Sequence, residues 1–124
     1  MAESVHTKGW GHERWLHNDE KYCAKVLIFR AGCRCSLHYH RLKHETFLLK
    51  SGRLIMLTAP VSEVSVHSLD TSLCKLRVEV MLPNDHIDMP PFTAHQMIAL
   101  DDSELIEFST QHFDDDSVRI VKGD

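Results

Sequence analysis

The chain has 124 residues, with 43% apolar and 26% charged residues and a net charge of -4 when histidine is neutral. That is one domain's worth of an ordinary folded protein, long enough to bury a core without disulfide or metal staples. No basic patch argues for nucleic acid or an anionic membrane, and no apolar stretch is long enough to span a bilayer. The opening residues also lack the apolar core of a signal peptide, so the expected setting is the cytoplasm.

From the N-terminus, residues 1–8 are expected to be loose, as are 122–124 at the other end. Period-two alternation marks strands at 22–29, 46–49, 54–58, 61–67 and 104–109. The clearest alternation is at 74–82, where Leu76, Val78, Val80 and Leu82 are interleaved with Lys75, Arg77 and Glu79. It predicts a half-buried strand with the apolar side chains toward the core. Breakers separate these runs, among them Gly32, Gly52, Pro60, Asn84 and the Pro90-Pro91 pair. No segment reads as a helix of about a dozen residues, and about ten short strands at regular spacing predict an all-β sandwich or closed barrel in one domain, 1–124. The four cysteines, Cys23, Cys33, Cys35 and Cys74, have no zinc-finger spacing and are expected to be reduced and structural.

Ten histidines in this length are unusual, and they are spread along the chain rather than gathered in a tag. His38 and His40 are two apart, so on a strand both imidazoles point to one face and can reach one ion. Glu45 follows a short turn, and a hairpin would return its carboxylate beside them. His95 follows the Pro-Pro turn and starts another short run. Three imidazoles and one carboxylate suit one divalent transition metal: Mn, Fe, Co, Ni or Zn. Such a set leaves positions open to water or substrate, as catalytic sites do.

Gly32, His38, His40, Glu45 and Gly52 fall at the spacing of the first cupin signature. Pro90 and His95 match the second, with Asn84 and Phe92 where glycine is usual and Ala99 where asparagine is. Asn84 tolerates left-handed backbone, whereas a bulky Phe92 is strained there, so a differently shaped turn is expected before His95. The chain therefore resembles the cupin superfamily, which implies a single-domain double-stranded β-helix, or jelly-roll barrel, binding the metal through His38, His40, Glu45 and His95. The segment from Trp10 to Trp15, Lys25, and the ending around Glu107 and Arg119 resemble the cupin domain of type II mannose-6-phosphate isomerases and related sugar-isomerase cupins. There the position of His38 is generally glutamine.

That resemblance implies a metal-dependent isomerase or epimerase acting on a sugar or sugar phosphate. Lys25, Glu45 and Arg119 are the candidate catalytic residues, with Lys25 and Arg119 as anion clamps. Lys25 shares its strand face with Cys23, Leu27 and Phe29, which points it into the barrel; its other reading is an edge lysine whose stem covers apolar surface. Arg119 would otherwise pair with Asp115 or Asp116. Glu107 and Tyr39 are expected to orient ligands from behind. His86 and His112 are expected at the rim, and His6, His12, His17 and His67 in solvent. A metal-dependent oxygenase or lyase acting on a small molecule, or a ligand-binding cupin without activity, are the alternatives. A homodimer is expected, with contact through the strand from Trp10 to Trp15.

Overall fold

The computed structural model describes residues 4–61 and 76–124. Among them the chain forms β1 (Ser4–Lys8), β2 (Gly11–Asn18), β3 (Cys23–Phe29), β4 (Leu37–His40), β5 (Glu45–Ser51), β6 (Leu54–Pro60), β7 (Arg77–Met81), β8 (His86–Met89), β9 (Thr93–Ala99), β10 (Ser103–Ser109) and β11 (Ser117–Val121), with one 3-10 turn at Asp114–Asp116. These strands make two antiparallel sheets, in the orders β1-β2-β3-β10-β5-β8 and β11-β4-β9-β6-β7. This is the expected all-β jelly roll. No helix among the described residues is long and apolar enough to cross a membrane, which leaves strand-crossing untouched.

Alternation explains why the sheets face each other. In β3, Cys23, Lys25, Leu27 and Phe29 are buried while the residues between them are half-buried. Leu27 pairs across the ladders with Leu105 of β10, which in turn pairs with Leu49 of β5. With Phe47, Met56, Met81 and Met97 these residues make the main core between the sheets. Fully burying a side chain of this kind stabilises by about 1.5–3 kcal/mol. A second apolar cluster, Leu37, Tyr39, Ala59, Ala94 and Ile120, lies on the outer face of the smaller sheet.

Several sequence expectations are corrected. Ser4–Lys8 pairs with β2 along its length rather than hanging loose, and Asp124 at the other end is tied to Arg34 through both N–H and carboxylate. The strand bearing Trp10 to Trp15 is no free edge, because β1 covers it. Trp10 stacks on Phe29 in the chain's own core. Tyr39 cannot orient ligands, because alternation along β4 sends it to the outer face, away from its histidine neighbours. Strand β7 turns the opposite way to its predicted face: Val78 and Val80 are exposed and Met81 is buried. The strand expected at 61–67 falls almost entirely outside the described residues, as do Cys74 and His67.

The turn before His95 keeps the shape that glycine usually supplies. Gly32 and Gly52 have φ of 82° and 88°, and Asn84 and Phe92 follow with 76° and 59°. All four signature positions are thus left-handed, Phe92 included. The conformation at Phe92 is held by its N–H donating to the His40 carbonyl at 2.8 Å and its own carbonyl accepting from the Val61 N–H at 3.1 Å.

Candidate metal centre

His38 on β4 and His95 on β9 are directly opposite in the ladder, and His40 is two residues along on the same face. The three imidazoles offer ligand atoms that all lie within 4.8 Å of one another. Glu45 comes from the other sheet. Its Oε1 is 3.0 Å from His40 Nε2 and 3.8 Å from His95 Nε2. The expected hairpin between β4 and β5 is therefore corrected: β4 pairs with β9 and β11, β5 with β10 and β8, and the turn between them carries the chain across the barrel. The carboxylate meets the imidazoles face to face, not edge to edge.

In His38 and His95 the nitrogen turned away from the centre is anchored, which fixes the one turned toward it. His38 Nδ1 donates to the Ser36 carbonyl at 3.0 Å, and His95 Nδ1 to the Thr93 carbonyl at 3.0 Å. Each leaves Nε2 as the inward atom with its lone pair. His40 Nδ1 faces Asp116 Oδ2 at 4.0 Å. Asp116 itself is buried and accepts the backbone N–H groups of Arg41, Leu42 and Lys43 at 3.0–3.1 Å, so one carboxylate from the end of the chain holds the turn that separates His40 from Glu45.

Two observations test whether these residues fit a metal. Glu45 Oε1 and His95 Nε2 are buried with no hydrogen-bond partner, although each lies close to another polar atom. Close approach without hydrogen-bond geometry is what donors around a common cation look like, and buried polar atoms left unmatched are otherwise costly. Second, burial, together with the neighbouring His95 and His40 rings, holds His38 down at about 3, and burial holds His95 at about 4. Both are neutral at pH 7, the form that ligates metal. The three histidines could hold a divalent metal, and Glu45 stands where a fourth donor would.

The centre opens into a cavity of about 490 Å³ between the sheets. Across β2, β3 and β10 one inner row reads Trp15, Lys25, Glu107. Lys25 is buried, with its Nζ 3.9 Å above the Trp15 ring, 3.8 Å from Glu13 Oε1 and 3.3 Å from His112 Nδ1. Burial lowers its pKa, against the pull of Glu107. Glu107 pairs with Lys43 at 2.5 Å, and Lys43 donates to His112 Nδ1 at 3.0 Å. Burial opposes charge on both partners, but their mutual attraction wins: Lys43 is raised and Glu107 lowered. Arg119 sits exposed at the mouth, and the expected ion pair with Asp115 or Asp116 is absent among the described residues.

Of the two sequence readings of Lys25 the structure gives the interior one, and it adds Lys43 and Glu13 to the cavity wall, which the sequence reading missed. His112, expected at the rim, reaches inward to both lysines, and His6, expected in solvent, stacks on Trp15. Lys43 and His112 come from loops whose course only the closed barrel defines, and His6 and Glu13 from the two N-terminal strands, whose inner face only their pairing onto β3 defines. His44 points away, pairing with Asp88 at the surface. Cys35 also lines the cavity, with its thiol pushed up to about 12 by burial, in keeping with a structural cysteine.

No protein-family model and no curated protein matches the chain. Solved structures do. The capsular polysaccharide assembling protein CapF from Staphylococcus aureus superposes with a TM-score of 0.76 at 16% identity, over 98% of this chain and 33% of that one. KdgF from Halomonas sp. gives 0.71 at 16%, over 93% and 90%. An RmlC-like cupin from Shewanella frigidimarina gives 0.71 at 16%, over 91% and 87%. The chain thus has the cupin fold. It spans about a third of the CapF chain, and at these identities the likeness shows the fold alone.

Proposed function

We propose that this chain is a metal-dependent isomerase or epimerase acting on a sugar or sugar phosphate. The observation that carries the reading is the shared cavity: His38, His40 and Glu45, with the buried His95 grouped beside them, open onto the same space as the Lys25 ammonium. A bound divalent ion would act as a Lewis acid on a substrate carbonyl and its adjacent hydroxyl. His38, His40, Glu45 and His95 would hold that ion and leave positions for the two oxygens. Lys25, whose nearest carboxylate oxygen is 3.8 Å away against 2.5 Å for Lys43, is the interior cation with charge to spare for an anionic end. Arg119 at the mouth is the second clamp. The resemblance of Trp10 to Trp15, Lys25 and the C-terminal stretch to sugar-isomerase cupins supports the same choice. So does the presence of a capsular polysaccharide assembling protein among the chains sharing this fold.

The test uses metal-loaded protein with a panel of aldose and ketose phosphates. Binding should raise the melting temperature, and the substrate C2 proton should exchange with deuterated solvent. Lys25→Ala should weaken binding by about 1.5–3 kcal/mol, the worth of a hydrogen bond to a charged group, with metal content unchanged. No thermal shift and no exchange with any sugar phosphate would sink the isomerase reading. Oxygen-dependent turnover of the iron form would then support the oxygenase alternative.

A further inference from the structure

Strand β7 carries an anomaly that the metal centre does not use. Val78, Val80 and Leu82 are 61%, 55% and 50% exposed, while Met81 on the opposite face is buried. The ladder sets Leu57 beside Val78 and Ile55 beside Val80, with Ile98 beyond Ile55. An apolar strip without a charged residue therefore crosses three strands and faces outward, continuous with the second cluster around Ala59 and Ala94. β7 is also the last strand of its sheet, so its outer backbone edge has no strand partner among the described residues. Arg77–Met81 contains no proline or bulge to protect the edge, and its two charges, Arg77 and Glu79, are of opposite sign and already paired with each other. Bare edge and bare apolar face together make a template for strand addition.

We propose that the β7 edges of two copies of this chain pair antiparallel about a two-fold axis at Val78, joining the smaller sheets into one. The charges select this register. With the axis at Val78, Arg77 of each copy stands opposite Glu79 of the other, Val78 meets Val78, and Val80 meets Leu76. Within one strand Arg77 Nε and Glu79 Oε1 are already 2.9 Å apart, so two copies complete an alternating cluster of four charges. An axis at Glu79 would set the two Glu79 carboxylates against each other. An axis at Val80 would set Arg77 against Pro83 and Glu79 against the buried Met81. All three keep the valines on one side, and only the first matches opposite charges. An isologous contact of this kind closes as a dimer.

The full chain, metal-loaded, is followed by light scattering through a dilution series. Wild type should be a dimer. Arg77→Glu places four like charges together and Val78→Lys two on the axis, and each should raise the dissociation constant about tenfold or more. The double swap Arg77→Glu with Glu79→Arg restores the complement and should recover the dimer. Metal content should match wild type in every variant, which separates lost pairing from lost folding. A monomeric wild type overturns the proposal, as does a dimer indifferent to Arg77→Glu and Val78→Lys, or a double swap that fails to restore it.

Discussion

Strands β4 and β7 belong to one sheet, are four and five residues long, and both direct polar side chains inward and apolar ones outward. In β4 the outward pair, Leu37 and Tyr39, is buried in the second cluster, and the inward pair, His38 and His40, faces the candidate metal centre. In β7 the outward valines are bare, and Arg77 and Glu79 line a hollow beside Ile87 and Met89. The comparison separates two things that alternation is often taken to say at once. It tells which side chains share a face; it does not tell which face meets the main core. A sheet with apolar surface on both sides breaks the rule that the apolar face is the inside one.

The largest expected effect lies at β4. If its inward face is a metal centre, the purified protein should carry about one divalent ion per chain, and His40→Ala with His95→Ala should leave none by elemental analysis, since losing ligands removes donors and geometry together. Equal metal in wild type and double variant would leave β4 with no more function than β7. Chelated protein should keep its β-type far-UV dichroism at pH 7, because the core between the sheets does not depend on the ion.

A smaller effect comes from acid. His38 at about 3 and His95 at about 4 lie below the ordinary 6.5 in the folded chain. Between those values and 6.5 the unfolded chain binds protons that the folded one does not. Stability of the chelated protein should therefore be full above pH 6.5 and fall as pH drops toward 4, by up to about 1.4 kcal/mol per pH unit for each histidine. Urea midpoints that stay flat from pH 7 to 4 would mean the inward imidazoles are solvated.

These two regions also show what was legible in the sequence. The grouping of imidazoles was in part, because His38 and His40 lie two apart in a short run whose spacing, through Glu45 to Gly52, encodes strand, turn and strand. The fold class was, because breakers and period-two runs recur along the chain. Lys43, His112 and Asp116 were not: a turn lysine, a loop histidine and one aspartate of an acidic run gain meaning only when the last strand folds back beside β4. The shape at Phe92 was misjudged because side-chain bulk was weighed without the two backbone hydrogen bonds that hold the turn. The burial of β7 was misjudged because facing is a tertiary property.

The smallest effect tests β7 within itself. Met81→Ala empties a buried position and should cost about 2–5 kcal/mol by urea unfolding. Its neighbour Val80 is exposed, and Val80→Thr keeps shape and strand preference, so its cost should stay under about 0.5 kcal/mol. The pair should be compared on the Arg77→Glu background and at low concentration, where no second copy covers the strip. Repeated with wild-type Arg77 at high concentration, Val80→Thr should cost more, because the threonine hydroxyl then enters an apolar contact with Leu76 of the other copy, and the unfolding midpoint of a dimer depends on protomer concentration. If Val80→Thr costs as much as Met81→Ala even in the dilute monomer, the outward face of β7 is buried within one chain, and the contrast with β4 disappears.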